Sequence, residues 1–175
     1  ETWEGIRRGR SGIAPITRFD AAMFETKIAG ETKGFDPLLY VNKKELRRLD
    51  DFIIYALAAA EMAMADAGLT IEGEGAERTG VVLGSAIGGL ATIEKEKEAI
   101  LQGGPHKMSP FTIPAALANL AAGHVSIRFQ AKGPISCPVT ACASGACAIG
   151  DAARIIADGY ADVMLAGGVD AAVTP

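Results

Sequence analysis

Three cysteines, spaced five residues apart, are the side chains best suited to covalent chemistry in this sequence: Cys137, Cys142 and Cys147. Cys142 stands where a β-rich run gives way to a helix-forming run, so it should lie at the carboxyl edge of a sheet, where α/β proteins bind ligands. The free N–H groups that begin the helix would favour a thiolate there. Cys142 is therefore a candidate nucleophile, whereas Cys137, within the strand-like run, and Cys147, within the helix-like run, are predicted to be structural.

Small residues surround Cys142: Ala141, Ala143, Ser144 and Gly145. They would let a substrate carbonyl reach the sulfur, and the backbone N–H of Cys142 could donate to the resulting oxyanion. Hydrolases place a serine in the same strand–nucleophile–helix arrangement. Cysteine is also a common small buried residue, so these residues alone leave a structural role for Cys142 equally open.

The cysteine spacing argues against two other kinds of site. An odd number of cysteines in one short stretch does not make a disulfide framework. No C-x-x-C or H-x-x-x-H pair indicates a metal site. A reducing compartment, and so a cytoplasmic location, is the simplest expectation.

Strand-like and helix-like segments alternate along the chain, which predicts an α/β fold with a largely parallel sheet. Asp50 and Gly68 are predicted to cap a helix that is buried on several sides. Residues 11–41 are predicted to be mostly loop with short extended pieces, and 43–48 a separate helical turn. The predicted helices cover 2–9, 51–67, 90–102, 114–129 and 143–159, and the predicted strands 80–86, 135–140 and 161–166. The predicted buried residues of the second helix are Phe52, Ile53, Leu57, Met62 and Met64.

The composition suits one domain with a real core, because 49% of the 175 residues are apolar. Residues 1–50 carry a net charge of +2 and the remainder −6, too weak a contrast to indicate nucleic-acid binding. The longest apolar run, Phe52–Ala60, is too short to cross a membrane. The chain begins at Glu1 and ends at Pro175, and we expect residues 1–175 to be a fragment truncated at both ends.

Five stretches together resemble one protein family. TACASG (140–145), followed by 148–168, resembles the nucleophile region of β-ketoacyl-[acyl-carrier-protein] synthases of the elongating synthase II type. GSAIGG (84–89) is similar to the loop that lines the acyl pocket in that family. GGPHKMSPFTIP (103–114) and NKKELRRLD (42–50) match the subgroup as well. The resemblance covers the whole chain in order, without large gaps.

The resemblance implies a thiolase-like fold, in which two similar α/β halves stack as α-β-α-β-α layers, usually as a homodimer. Residues 1–175 correspond to most of the first half, without the family's opening strand. The catalytic histidines, a lysine and a glycine-rich loop belong to the second half. We do not assign their roles to His106 or His124, and we expect this chain alone not to catalyse condensation.

The resemblance also implies a mechanism. Cys142 would take an acyl chain from acyl carrier protein as a thioester, and a malonyl-carrier protein would then lose CO2 and attack that thioester. Neither a metal nor a redox cofactor is needed, and neither nucleic acid nor a membrane is an expected partner. Related chain-length factors lack the nucleophilic cysteine, so Cys142 argues against that class.

Further residues acquire roles only through the resemblance. Ile87 would line the acyl tunnel, although it could equally be an ordinary core residue. Lys44, Arg47 and Arg48 would share one face of a helix and, with Lys107, form a docking surface for the acidic carrier protein. By composition alone such a basic cluster is usually an ordinary solvated face.

Two alternatives to a condensing enzyme stay open. One is thiolase-like acyl transfer with coenzyme A, which the 103–114 stretch and the basic cluster disfavour. The other is a non-catalytic structural or dimerisation module built from half a synthase.

Overall fold

The computed structural model describes residues 2–175, apart from the side chain of Thr2. The chain divides into a small unit, which comprises the residues up to Asp36 together with Val173–Pro175, and a large unit, Pro37–Ala172. The small unit contains helix α1 (Thr2–Arg7) and an antiparallel pair of strands, β1 (Ile13–Pro15) and β2 (Ile28–Gly30). The short extended pieces predicted for 11–41 are therefore confirmed.

The large unit is built around a parallel sheet. Its helices are α2 (Lys43–Leu46), α3 (Asp51–Ala67), α4 (Leu90–Gly103), α5 (Thr112–Ala116), α6 (Leu120–Phe129) and α7 (Ser144–Ala157). Its strands are β3 (Thr79–Gly84), β4 (Ile135–Ser136) and β5 (Val163–Gly168), in the order β4–β3–β5. Both neighbours of β3 run parallel to it. The predicted α/β class is thus confirmed.

Helices cover both faces of the central strand. Val81 and Val82 of β3 are both fully buried, and consecutive strand residues point to opposite faces. Val82 packs with Ala148 and Ala152 of α7. Helix α6 packs against β3 and α3. The sheet edge that carries Cys142 is therefore supported by packed helices.

Helix α3 begins and ends where its caps predict. The Asp50 side chain accepts a hydrogen bond from the Phe52 N–H at 3.3 Å, and Gly68 ends the helix with φ of +60°. The second oxygen of the buried Asp50 carboxylate accepts bonds from the N–H (3.0 Å) and hydroxyl (2.7 Å) of Thr92. Asp50 thus joins the starts of α3 and α4. The predicted burial of Met62 is wrong, because its side chain is 63% exposed.

Most predicted bounds differ from the structure by one or two residues, and two predicted elements are wrong by more than that. The single helix predicted over 114–129 is two helices, because the Ala116 carbonyl accepts the Gly89 N–H at 2.9 Å and the chain is extended at Leu117. The strand predicted to reach residue 140 ends at Ser136. Pro138 lacks an N–H and cannot continue a ladder there.

Between residues 2 and 175, none of the helices combines the length and apolar character that a membrane crossing requires.

Candidate active site

Cys142 lies in a 3₁₀ turn, Ala141–Ala143, directly before helix α7. Strands β3 and β5 run parallel, and their carboxyl ends meet at the edge where this turn lies. The Cys142 side chain is exposed, whereas Cys137 and Cys147 are half-buried. Among the three thiols, Cys142 is the most accessible to a substrate.

The turn that presents Cys142 is held by the hydroxyl of Ser144. Ser144 is 3% exposed. Its Oγ accepts the Thr140 N–H at 2.9 Å and donates to the Ala141 carbonyl at 2.7 Å. Between these two bonds Ala141 adopts a φ of +51°, which costs a residue with a β-carbon about 1–2 kcal/mol. The two Ser144 bonds stabilise that strained turn.

Three glycines bring the sheet edge and the start of α7 into backbone contact. Gly84 and Gly168 are paired in register at the ends of β3 and β5. A β-carbon on Gly84 would lie 2.5 Å from the carbonyl carbon of Ser144. One on Gly168 would lie 2.6 Å from the Cα of Gly145. No side chain fits at either strand end, so α7 begins directly on the strands.

The other two thiols have partners that suit a structural role. Burial raises the pKa of Cys137, and although a hydrogen bond from the Ser85 backbone opposes this rise, the charge of Asp170 adds to it. Cys137 therefore stays protonated to higher pH than a free cysteine. Cys147 Sγ accepts a hydrogen bond from the Thr140 hydroxyl at 3.3 Å.

Cys142 opens onto a cleft of about 270 Å³ at the sheet edge. Its lining residues are Gly84, Ala141, Cys142, Ser144, Gly145, Gly168, Val169 and Asp170. Ile87 is not one of them; it lies three residues beyond Gly84 and is 49% exposed. Its contact with an acyl chain therefore stays a prediction.

Neither histidine lines the Cys142 cleft. His106 is exposed in the 3₁₀ turn Pro105–Lys107. His124 is half-buried in α6, where burial lowers the pKa of its imidazole; the charge of Glu45 opposes this and that of Arg128 adds to it. The absence of a catalytic role for either histidine stays a prediction.

The basic cluster of Lys44, Arg47 and Arg48 is exposed, and its three residues lie together. Helix α2 ends at Leu46, but the turn continues, since the Arg48 N–H donates to the Glu45 carbonyl at 2.8 Å. The three side chains and Lys43 line one groove of about 340 Å³.

The loop 103–113 reaches the basic cluster through an aromatic ring. The Arg48 guanidinium carbon lies 4.1 Å from the centroid of the Phe111 ring, a cation–π geometry. The Lys107 stem lies against Gly103, and Lys107 does not line the grooves that contain the cluster. The structure thus brings together three of the four predicted docking residues.

Within residues 2–175, no three His, Cys, Asp or Glu side chains are grouped to hold a metal ion.

Sequence reasoning missed the roles of two residues of the site. Ser144 stabilises the turn through its hydroxyl, and Asp170 lines the cleft. Ser144 was noted only for its small size. Asp170 stands two residues after Gly168, the last residue of β5, and the rule that parallel strands end at the same edge could have identified it.

The chain is similar to known proteins over its whole length. Residues 1–175 match a family model described as "Beta-ketoacyl synthase, N-terminal domain". The 3-oxoacyl-[acyl-carrier-protein] synthase 2 of Coxiella burnetii is 48% identical over 175 residues, and that of Synechocystis is 46% identical over 173 residues. This chain spans 42% of the length of each of these curated relatives.

Solved structures show the same fold. The ishigamide ketosynthase/chain length factor superimposes with a TM-score of 0.84 at 33% identity, over 96% of this chain and 42% of that chain. A ketosynthase solved with its type II PKS acyl-carrier protein gives a TM-score of 0.74 at 29% identity, over 81% of this chain and 41% of that chain. The predicted thiolase-like fold is therefore confirmed. Because the family model spans the whole chain, the chain belongs to the β-ketoacyl synthase family and corresponds to its N-terminal domain.

Proposed function

We propose that the protein containing this chain elongates acyl chains on acyl carrier protein by decarboxylative condensation with malonyl-acyl carrier protein, through an acyl-Cys142 intermediate. The observation that carries the proposal is the exposed Cys142 thiol at the start of α7, open to a cleft at the sheet edge. The printed names of the relatives, 3-oxoacyl-[acyl-carrier-protein] synthase 2, support the same reaction.

In the first step, the sulfur of Cys142 attacks the carbonyl carbon of an acyl thioester. A new C–S bond forms, and the carrier thiol leaves with a proton. Gly84, Gly145 and Gly168 line the cleft without side chains, which leaves room beside the sulfur for the acyl carbonyl. The N–H of Cys142 is the proposed donor to the oxyanion.

In the second step, malonyl-carrier protein loses CO2, and the resulting carbanion attacks the acyl-Cys142 carbonyl and releases the sulfur. The described residues of the cleft offer Asp170, Ser144 and backbone groups, but no imidazole. The groups that polarise the malonyl thioester must therefore come from another part of the full protein.

The acyl carrier protein is the proposed partner of the basic cluster. Its three cations line one exposed groove, and such a patch steers an acidic partner even on a net-acidic chain. A ketosynthase with 29% identity has been solved in complex with an acyl-carrier protein, which adds support.

A homodimer in a reducing, cytoplasmic compartment completes the proposal. Strand β4 is an edge strand, and Ile135 and Val139 on and beside it are 51% and 57% exposed. Apolar side chains on an unpaired edge favour pairing with a second copy. The three free thiols fit a reducing compartment.

The reaction is tested by CO2 release from labelled malonyl-carrier protein, using the full reading frame that encodes this chain. Replacing Cys142 with Ala should lower release that depends on an acyl primer by on the order of a thousandfold, because the covalent step is lost. Cys147→Ala is the matched control and should retain most activity. The 175-residue chain alone should show no primer-dependent release. Unchanged release in Cys142→Ala would exclude the acyl-Cys142 intermediate.

Thiol selectivity gives a second test. Brief substoichiometric iodoacetamide should alkylate Cys142 about tenfold faster than Cys137 or Cys147, because reactivity follows access and thiolate content. Burial raises the pKa of Cys137, so its labelling should increase only above the pH range of ordinary cysteine. Peptide mapping measures all three rates, and equal labelling of the three would contradict the assignment.

Charge reversal tests the docking surface. Changing Lys44, Arg47 and Arg48 together to Glu should raise KM for carrier-bound substrate about tenfold at low salt and less at high salt, because rim charges act on encounter. Turnover of a short acyl-coenzyme A should hardly change.

Two comparisons separate charge from local structure. The same reversal at Arg10, Lys27 and Lys33, exposed cations of the small unit, is matched in charge and should leave KM unchanged. A variant that keeps Arg48, and so its contact with Phe111, should still raise KM. If both triple variants raise KM alike, only the net charge matters and the docking surface lies elsewhere.

A further inference from the structure

The carboxylate of Asp170 is bound by the loop 85–88, which follows strand β3. Its Oδ1 accepts the Ser85 hydroxyl at 2.9 Å and the Ile87 N–H at 3.2 Å. The Ala86 N–H lies 3.0 Å from Oδ2 and 3.2 Å from Oδ1. Ser85 Oγ in turn accepts the Gly88 N–H at 3.0 Å. One side chain at the end of β5 therefore satisfies most of the donors of this loop.

The loop has little freedom to take another position. Ser85 is fully buried. On the far side of the loop, a β-carbon on Gly88 would lie 2.6 Å from the Ala116 carbonyl oxygen. The loop is thus held between helix α5 and the Asp170 carboxylate. Consecutive N–H groups that converge on an anion form a rigid anion-binding turn.

Asp170 also lines the Cys142 cleft. Asp170 therefore connects the cleft, which it lines, with the loop that carries Ile87, to which it is hydrogen-bonded. We propose that Asp170 is a positioning residue that fixes the loop 85–88 relative to Cys142, and that it thereby determines which acyl chain lengths the enzyme accepts. The selectivity half of this proposal rests on the proposed function; the positioning half does not.

The test compares Asp170→Asn with Asp162→Asn in the full reading frame. An Asn amide turns its NH₂ toward donors and loses acceptor capacity without a change of size. Asp162 is the matched control: it precedes the opposite end of β5, where it pairs with Arg78 at 2.6 Å. The Asp170→Glu variant keeps the carboxylate and serves as the rescue.

Amide hydrogen exchange of the 85–88 segment measures positioning without any substrate. Loss of the charge-assisted bonds should speed exchange in Asp170→Asn by about tenfold. Asp162→Asn should leave that segment unchanged, and Asp170→Glu should restore part of the protection. Wild-type exchange in Asp170→Asn overturns the proposal.

Selectivity is measured as the rate of acyl-Cys142 formation from short-chain and long-chain acyl carrier protein, by intact-protein mass spectrometry. Asp170→Asn should change the ratio of the two rates about fivefold, a difference that positioning of a pocket loop can produce. An equal loss for both chains overturns the selectivity role. If wild-type protein forms no acyl-Cys142, the proposed function fails, and hydrogen exchange still decides the positioning role. If Asp170→Asn does not fold, the Ser85→Ala variant carries both measurements, because it removes the hydroxyl that donates to Asp170 and accepts the Gly88 N–H.

Discussion

Backbone-to-backbone contact at three glycines is the constraint on which the candidate site depends. Gly84 and Gly168 are register partners at the ends of neighbouring parallel strands, and the first turn of α7 rests directly on them through Ser144 and Gly145. A β-carbon at either strand end would meet main-chain atoms that cannot move aside as a flexible side chain does. This contact lets the helix begin at the sheet edge, and so it places Cys142 there.

The turn that carries the Cys142 thiol depends on this close contact between the strand ends and the start of α7. The chain must turn sharply from β4 into α7, and Ala141 accepts a left-handed conformation while the buried hydroxyl of Ser144 bonds both sides of the turn. A strained backbone conformation of this kind persists only where the surrounding structure holds the residue in place. Asp170, two residues after β5, also lines the cleft and binds the loop after β3. The nucleophile, the cleft and the loop are therefore parts of one packed edge.

Local signals in the sequence predicted the features that depend on neighbours in the chain. Asp50 and Gly68 cap α3 as expected, and the change from strand-like to helix-like sequence located the turn at Cys142. Features that depend on distant partners could not be predicted in this way. Helix 114–129 breaks because Gly89 takes the Ala116 carbonyl, and the roles of Ser144 and Asp170 exist only once the strands and α7 have assembled. Ile87 does not line the Cys142 cleft and Lys107 does not line the groove of the basic cluster, so the roles that the resemblance gives them stay predictions.

The central claim is tested most directly by measuring the unfolding free energy and the Cys142 alkylation rate of Gly168→Ala beside Gly150→Ala. Gly150 is a helical position of α7 where an added β-carbon meets nothing within 4 Å, so alanine there should stabilise the protein by about 0.5–1 kcal/mol and leave the alkylation rate unchanged. Alanine at Gly168 should cost about 1–3 kcal/mol and should alter the alkylation rate, because the helix start must move away from the strands. If Gly168→Ala keeps wild-type stability and the wild-type alkylation rate, close glycine packing does not position Cys142.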